Sequence, residues 1–169
     1  NPVHGLKMLE DAHLGYPRSR TWENDGALLR AYLAMDRVND ARRMVMTLEA
    51  RAREDVEATP YLVDAAVMWG EYLYEQGDYR SAAEAFKIAV DGSSRHGRPI
   101  QGNQSDPNWA KFQRASALLH LGDYETSEAL FDEIARTKAR WAAEAEVKAE
   151  FARLEKQRRG FATAASSAG

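Results

Sequence analysis

The sequence predicts an all-α protein: an α-solenoid of about three stacked helix-turn-helix repeats, closed by a C-terminal capping helix. Three observations predict it. Large and small residues return at +3, +7 and +10 in three separate stretches: Val38, Ala41, Val45, Leu48; Tyr79, Ala82, Phe86, Ala89; and Tyr124, Ser127, Phe131, Ile134. A Gly-Asp-Tyr turn introduces the second and the third. Nowhere do apolar and polar residues alternate with the period of two that a half-buried strand shows. Helices that share one stripe, each preceded by another helical run, cannot bury their apolar faces alone, and stacking the pairs does it for them.

Each element has its own warrant. Residues 1–16 carry an imperfect apolar face (Val3, Leu6, Met8, Leu9, Leu14) that stops at Gly15-Tyr16-Pro17, so residues 1–20 read as a leader or short helix. Ser19 and Thr21 offer capping oxygens to a helix over 22–35, with Leu28, Leu29, Tyr32 and Leu33 as bulk. A turn at Asp36-Arg37 leads into a second helix over 38–53. Thr59-Pro60 is the sharpest helix start in the chain, a capping hydroxyl followed by the one residue that loses nothing at the first helical position. The helix it opens, 61–76, keeps Gly70 in its interior at a cost of about 1 kcal/mol relative to alanine, which predicts close approach of a neighbour there. Gly77 supplies a left-handed terminator, Asp78 caps, and the second stripe runs to Val90.

Residues 91–106 hold three glycines, three serines and a proline, and read as an irregular loop, locally basic at Arg95, His96 and Arg98. Asp106-Pro107 repeats the cap-plus-proline start for a helix over 108–121, with Ala115 where Gly70 stood. After the third stripe Thr137 caps a terminal helix over 138–160, in which Trp141, Ala145, Phe151 and Leu154 are apolar. Gly160 ends it, and residues 161–169 form a frayed tail. The organisation is thus 1–20, three repeats within 21–137 (about 21–53, 59–90 and 106–137), a capping helix and a tail.

Composition narrows the function. The 169 residues suit one domain with a sizeable core, and 44% hydrophobic with 29% charged residues describes an ordered, soluble chain. A net charge of −3 offers no broad basic field for a phosphate backbone, so no nucleic acid is expected. Cysteine is absent, which removes disulfides, thiolate metal sites and thiol nucleophiles together. No apolar run reaches the roughly 18 residues of a membrane span. The chain opens on Asn1 rather than Met, a cleaved or excised start. The compartment lies between cell envelope or periplasm and cytoplasm, with a lean to a bacterial envelope.

His4, His13, His96 and His120 share no ligand spacing, so no metal and no cofactor is expected. There is no GxSxG, no phosphate-binding glycine loop and no dinucleotide fingerprint, and the chain reads as not an enzyme. The aromatic stripe residues serve inter-helix packing rather than a cofactor box.

With Gly70, Gly77, Tyr79, Ala82, Phe86 and Ala89 in place, the second unit resembles a tetratricopeptide repeat (TPR). The third is similar through Ala115, Gly122, Tyr124 and Phe131, departing at Ser127 and Ile134. The first fits at Leu28, Tyr32 and Ala41, with Leu29 where a small residue belongs. Equivalent positions lie 41 apart (Val38 to Tyr79) and 45 apart (Tyr79 to Tyr124), against about 34 in that family. The resemblance implies a concave groove lined by the first helix of each pair, holding a protein or peptide segment. Its groove positions fall on Asp64, Val67, Glu71, Tyr74 and Glu75 of the second unit, Trp109, Phe112, Ser116 and His120 of the third, and Glu23 and Arg30 of the first. That acidic and aromatic set suits a partner segment bearing apolar and basic residues. The expected function is a non-enzymatic protein-protein interaction scaffold in a bacterial assembly. The alternatives are a self-assembling subunit that pairs through Trp141 and Phe151 of the terminal helix, and a regulatory domain cut from a larger protein. Arg95, His96 and Arg98 form a candidate loop contact.

Overall fold

The structure, a computed structural model, describes residues 2–15, 22–96, 106–138 and 140–167. Among them are eight α-helices: α1 Pro2–Gly15, α2 Trp22–Ala34, α3 Val38–Glu54, α4 Thr59–Glu75, α5 Tyr79–His96, α6 Pro107–Leu121, α7 Tyr124–Ala135 and α8 Ala142–Ser167. Each packs on the next in sequence; α2 also meets α4, and α4 meets α6. No strand occurs among the described residues.

Three short turns join α2 to α3, α4 to α5 and α6 to α7, and they share one geometry. Asp36, Gly77 and Gly122 take the left-handed conformation, with φ of 57°, 78° and 77°. In each, the next N–H reaches back to the carbonyl of the residue four before the left-handed one. Arg37 N donates to Tyr32 O (2.8 Å), Asp78 N to Leu73 O (3.0 Å) and Asp123 N to Leu118 O (3.0 Å). These bonds satisfy carbonyls that a helix end leaves unpaired. The aspartates then cap the following helices: Asp78 accepts from Ser81 N at 3.1 Å and Asp123 from Thr126 N at 3.2 Å. The first turn lacks glycine; an aspartate tolerates the left-handed region better than most residues, and Asp36 also accepts from the Tyr72 hydroxyl of α4. No heavy atom lies within 4 Å of where a Cβ would stand on Gly77. Gly77→Ala is therefore expected to cost only the backbone term, about 1–2 kcal/mol, read as a lowered urea midpoint at unchanged m-value.

The stripes point inward beyond their first residues. Ala41, Val45 and Leu48, Ala82, Phe86 and Ala89, and Ser127, Phe131 and Ile134 are buried, whereas Tyr79 and Tyr124 are half-buried and Val38, at the turn, is exposed. Gly70 is crossed closely, as expected: a Cβ there would meet the Phe86 ring at 2.8–2.9 Å. Ser127 sits in its small-residue position by donating its hydroxyl to Ala115 O at 2.8 Å.

Several boundaries differ from the sequence reading. Residues 91–96 are not loop: α5 runs on to His96, because Gly92 lets it lie against α4, where a Cβ would meet Val63 at 2.9 Å. Arg95 and His96 are thus helical, while Arg98 lies outside the described residues, as do Ser19 and Thr21. Thr59 does not cap α4. A 3-10 turn at Val56–Ala58 leads in with Ala58 already helical, and Thr59 is a buried first residue. Asp106 does cap α6, accepting from Asn108 N at 2.8 Å. Thr137 closes α7 instead of opening α8, its hydroxyl donating to Ile134 O at 2.6 Å. Gly160 does not end α8, which continues to Ser167.

At the α7/α8 junction Glu128, its side chain 15% exposed, accepts from Lys156 Nζ (2.7 Å) and Arg153 Nε (2.9 Å). Lys156 foremost, then Arg153, holds the Glu128 carboxyl below its ordinary range against the opposing effect of burial. A carboxylate depressed in the folded state stabilises fully above its unfolded pKa of about 4.3 and loses that contribution as pH falls through the folded value. The stability gap between wild type and Glu128→Gln should accordingly be widest near neutrality and close in acid, as equilibrium denaturation at a series of pH values would show.

Candidate functional site

The residues expected to line a groove fall on single faces of α4 and α6 because helical spacing puts them there: 64, 67, 71 and 74–75 on one, 109, 112, 116 and 120 on the other. The structure brings these two faces together along the α4/α6 seam. Trp109 Nε1 donates to Glu71 at 2.9 Å. Further along, the His120 ring stacks on Tyr79 (4.2 Å between centroids, 8° between planes) and meets Tyr74 edge-on at 5.6 Å. Burial, with Tyr79 close by, pushes the Tyr74 phenol above its ordinary pKa.

Three of the expected lining residues are turned into the core. Val67 is fully buried in a cluster with Val63, Ala66, Ala89 and Ala110, because the small Ala110 lets α6 close over it. Phe112 is buried edge-on against Phe131 at 5.3 Å. Ser116 is buried as well. Asp64, Glu71, Tyr74 and Trp109 are half-buried, and Arg30, Glu75 and His120 are exposed. Arg30 reaches Met68 Sδ at 3.8 Å across the α2/α4 seam. The side chain of Glu23 lies outside those described.

The same side holds residues the sequence reading did not place there. Trp141, ahead of α8, is half-buried, tilts against Trp109 (4.6 Å) and lies near Phe112 (6.0 Å). Arg140 stands over the Trp141 ring at 4.9 Å, and Lys148 over Phe112 at 5.5 Å. Trp141 lies one turn ahead of the buried Ala145 and in phase with Ala149 and Ala152, its carbonyl accepting from Ala145 N at 2.9 Å, so helical spacing carried a signal for it, as it did for Lys148. The face is consequently less acidic than expected: Glu71 is engaged by an indole, and two cations sit over the aromatic end.

Chemically, this is a surface of half-covered aromatic rings with carboxylates spread along α4 and two cations over the Trp141 and Phe112 rings, suited to holding side chains. Among the described residues no three His, Asp or Glu side chains gather as a metal set, and no helix is long and apolar enough to cross a membrane. Comparison with protein-family models, with characterised proteins and with solved structures finds no match to this chain.

Proposed function

We propose that this chain is a non-enzymatic protein-binding scaffold of the tetratricopeptide-repeat kind, with α2–α3, α4–α5 and α6–α7 as three repeats in an α-solenoid and α8 as the cap. The recurrence of one turn geometry and one buried stripe in all three pairs carries the reading. Contacts along α2, α4 and α6, without comparable packing among α3, α5 and α7, support placing these first helices on the inner side of a curved stack. A partner segment bearing apolar and basic residues then lies along the α4/α6 seam. Its apolar groups meet Tyr74 and Trp109, and its cations meet Asp64 and Glu75.

The test begins with capture of the partner by the intact chain and its identification by mass spectrometry. Charge reversal at the exposed Glu75 is expected to weaken that capture at least about tenfold, a loss of ~1.4 kcal/mol, with helical content unchanged. Undiminished capture by the reversed protein would overturn the assignment of the partner to this seam.

A further inference from the structure

Where α1 meets α2, the body of the protein presents a receptor for a carboxylate. Leu6 of α1 is buried, and one turn later Glu10 Oε1 takes two donors at once. One is the Tyr32 hydroxyl of α2 at 3.2 Å, the other Arg37 Nη1 of the α2/α3 turn at 2.7 Å. Arg37 is aimed from behind: its Nε donates to Asp40 Oδ2 of α3 at 2.6 Å, and its guanidinium stands over the Tyr32 ring at 4.8 Å. Hydrogen bonds to an ionised group are about twice as strong as neutral ones.

Beside this receptor α1 fits loosely. A pocket of about 580 Å³ stays open among Val3, Leu6, Leu28, Tyr32 and Met35, a size and an apolar lining that suit a bulky guest. Its other charged neighbours, Lys7 and Asp11, belong to α1 itself and would leave with it. What remains on the body is an apolar wall, a phenol and a guanidinium, with Asp40 taken up by Arg37 and Arg43. Gly5 weakens the helix that covers this face, because glycine inside a helix is unfavourable relative to alanine. At Gly70 the Phe86 ring accounts for the glycine, whereas among the described residues no heavy atom lies within 4 Å of where a Cβ would stand on Gly5. An anchor and a carboxylate that the body recognises, a cavity left unfilled and a glycine that no contact demands are the marks of an occupant that can be exchanged.

We propose that the face of α2 beneath α1 is a binding site for a helical segment of a partner protein that carries a large apolar residue four positions ahead of a glutamate, and that α1 fills this site until such a segment displaces it. Residues four apart share one helical face, so the incoming glutamate meets Tyr32 and Arg37 as Glu10 does, while the apolar residue reaches further into the pocket than Leu6. The tether from Gly15 to Trp22 is short, and short tethers hold their cargo at millimolar effective concentration, which keeps weak ligands out. This site is distinct from the α4/α6 seam, and its test does not depend on that reading.

The probe is a dye-labelled, end-blocked peptide copying residues 2–15, titrated with the 169-residue chain and followed by fluorescence anisotropy. Leu6→Asp in the chain removes the resident anchor and should tighten capture of the peptide about tenfold or more. Gly5→Ala steadies α1 and should weaken capture below that of the unaltered chain, a comparison that holds even if Leu6→Asp unsettles the body. A peptide carrying Leu6→Phe should bind more tightly than the plain copy. Against the Leu6→Asp chain, Glu10→Gln in the peptide and Arg37→Gln in the chain should each weaken capture about tenfold. Together they should cost hardly more than either alone, because both act on the same bond.

A peptide that the Leu6→Asp chain does not capture, capture equal across the three chains, or capture indifferent to Arg37→Gln would each overturn the proposal. So would a dimer that grows with concentration and ignores added peptide, since the occupant would then be α1 of a second copy.

Discussion

Phe86→Ala is expected to destabilise the protein by about 3–5 kcal/mol, a fall in Tm on the order of 10 °C for a chain of this size. Phe86 is completely buried in the cluster that joins α2–α3 to α4–α5, with Leu29, Val45, Leu62 and Trp69 among its members. Its ring lies over the backbone of α4 at Gly70. That contact makes a sharper experiment than the single truncation. Gly70→Ala alone would press a methyl into the ring, and overpacking of that kind costs about 1–3 kcal/mol. With Phe86 shortened to Leu the same change meets no ring, and the helix propensity of alanine, worth about 1 kcal/mol over glycine, comes through. The effect of Gly70→Ala should therefore change sign between the two backgrounds. A double-mutant cycle in denaturant measures this coupling directly; equal destabilisation in both would mean that Gly70 is not held by the ring.

Phe131→Ala should cost a similar amount, about 3–5 kcal/mol, but its damage should fall elsewhere. Phe131 is the buried centre of the cluster formed with Phe112, Ala115, Ile134, Ala145 and Ala149. The α8 members of that cluster are alanines, so α8 docks through small side chains onto a surface that Phe131 supplies. Removing the ring is expected to raise amide exchange in α8 well before that of α4 and α5, where the Phe86 cluster is intact. Local opening of this kind follows wherever helices draw stability mainly from their immediate neighbours. Uniform loss of protection across all helices would instead show a single cooperative unit.

What the sequence disclosed was local. The stripe in α5 and α7, the glycine turns and the Asp106-Pro107 start depend on residues within a few positions of one another, and all three were legible. The Gly70 contact was legible too, since glycine inside a helix has few other reasons to be there. The extension of α5 was not, because Gly92, Ser93 and Ser94 have loop composition and only the approach of Val63 from α4 explains the glycine. Continuation of α8 past Gly160 was likewise hidden: glycine suggests a stop, while the alanines at 162, 164 and 165 favour helix. The expected groove suffered most. Positions transferred from a repeat pattern assume a fixed spread between first helices, and Ala110 lets α6 close far enough over α4 to bury Val67. Trp141, one turn ahead of the buried Ala145, then fills in beside Trp109.

The first helix is held quite differently from the rest. Among its described side chains only Leu6 is buried; beyond it, Glu10 accepts from the Tyr32 hydroxyl at 3.2 Å and from Arg37 at 2.7 Å. An open pocket of about 580 Å³ remains between α1 and the residues Leu28, Tyr32 and Met35. Leu6 and Glu10 thus join α1 to the body through one buried leucine and one shared carboxylate, and a joint with so little burial among its described side chains opens before the body does. Amide exchange in the native protein should accordingly be faster throughout α1 than in α4 and α5.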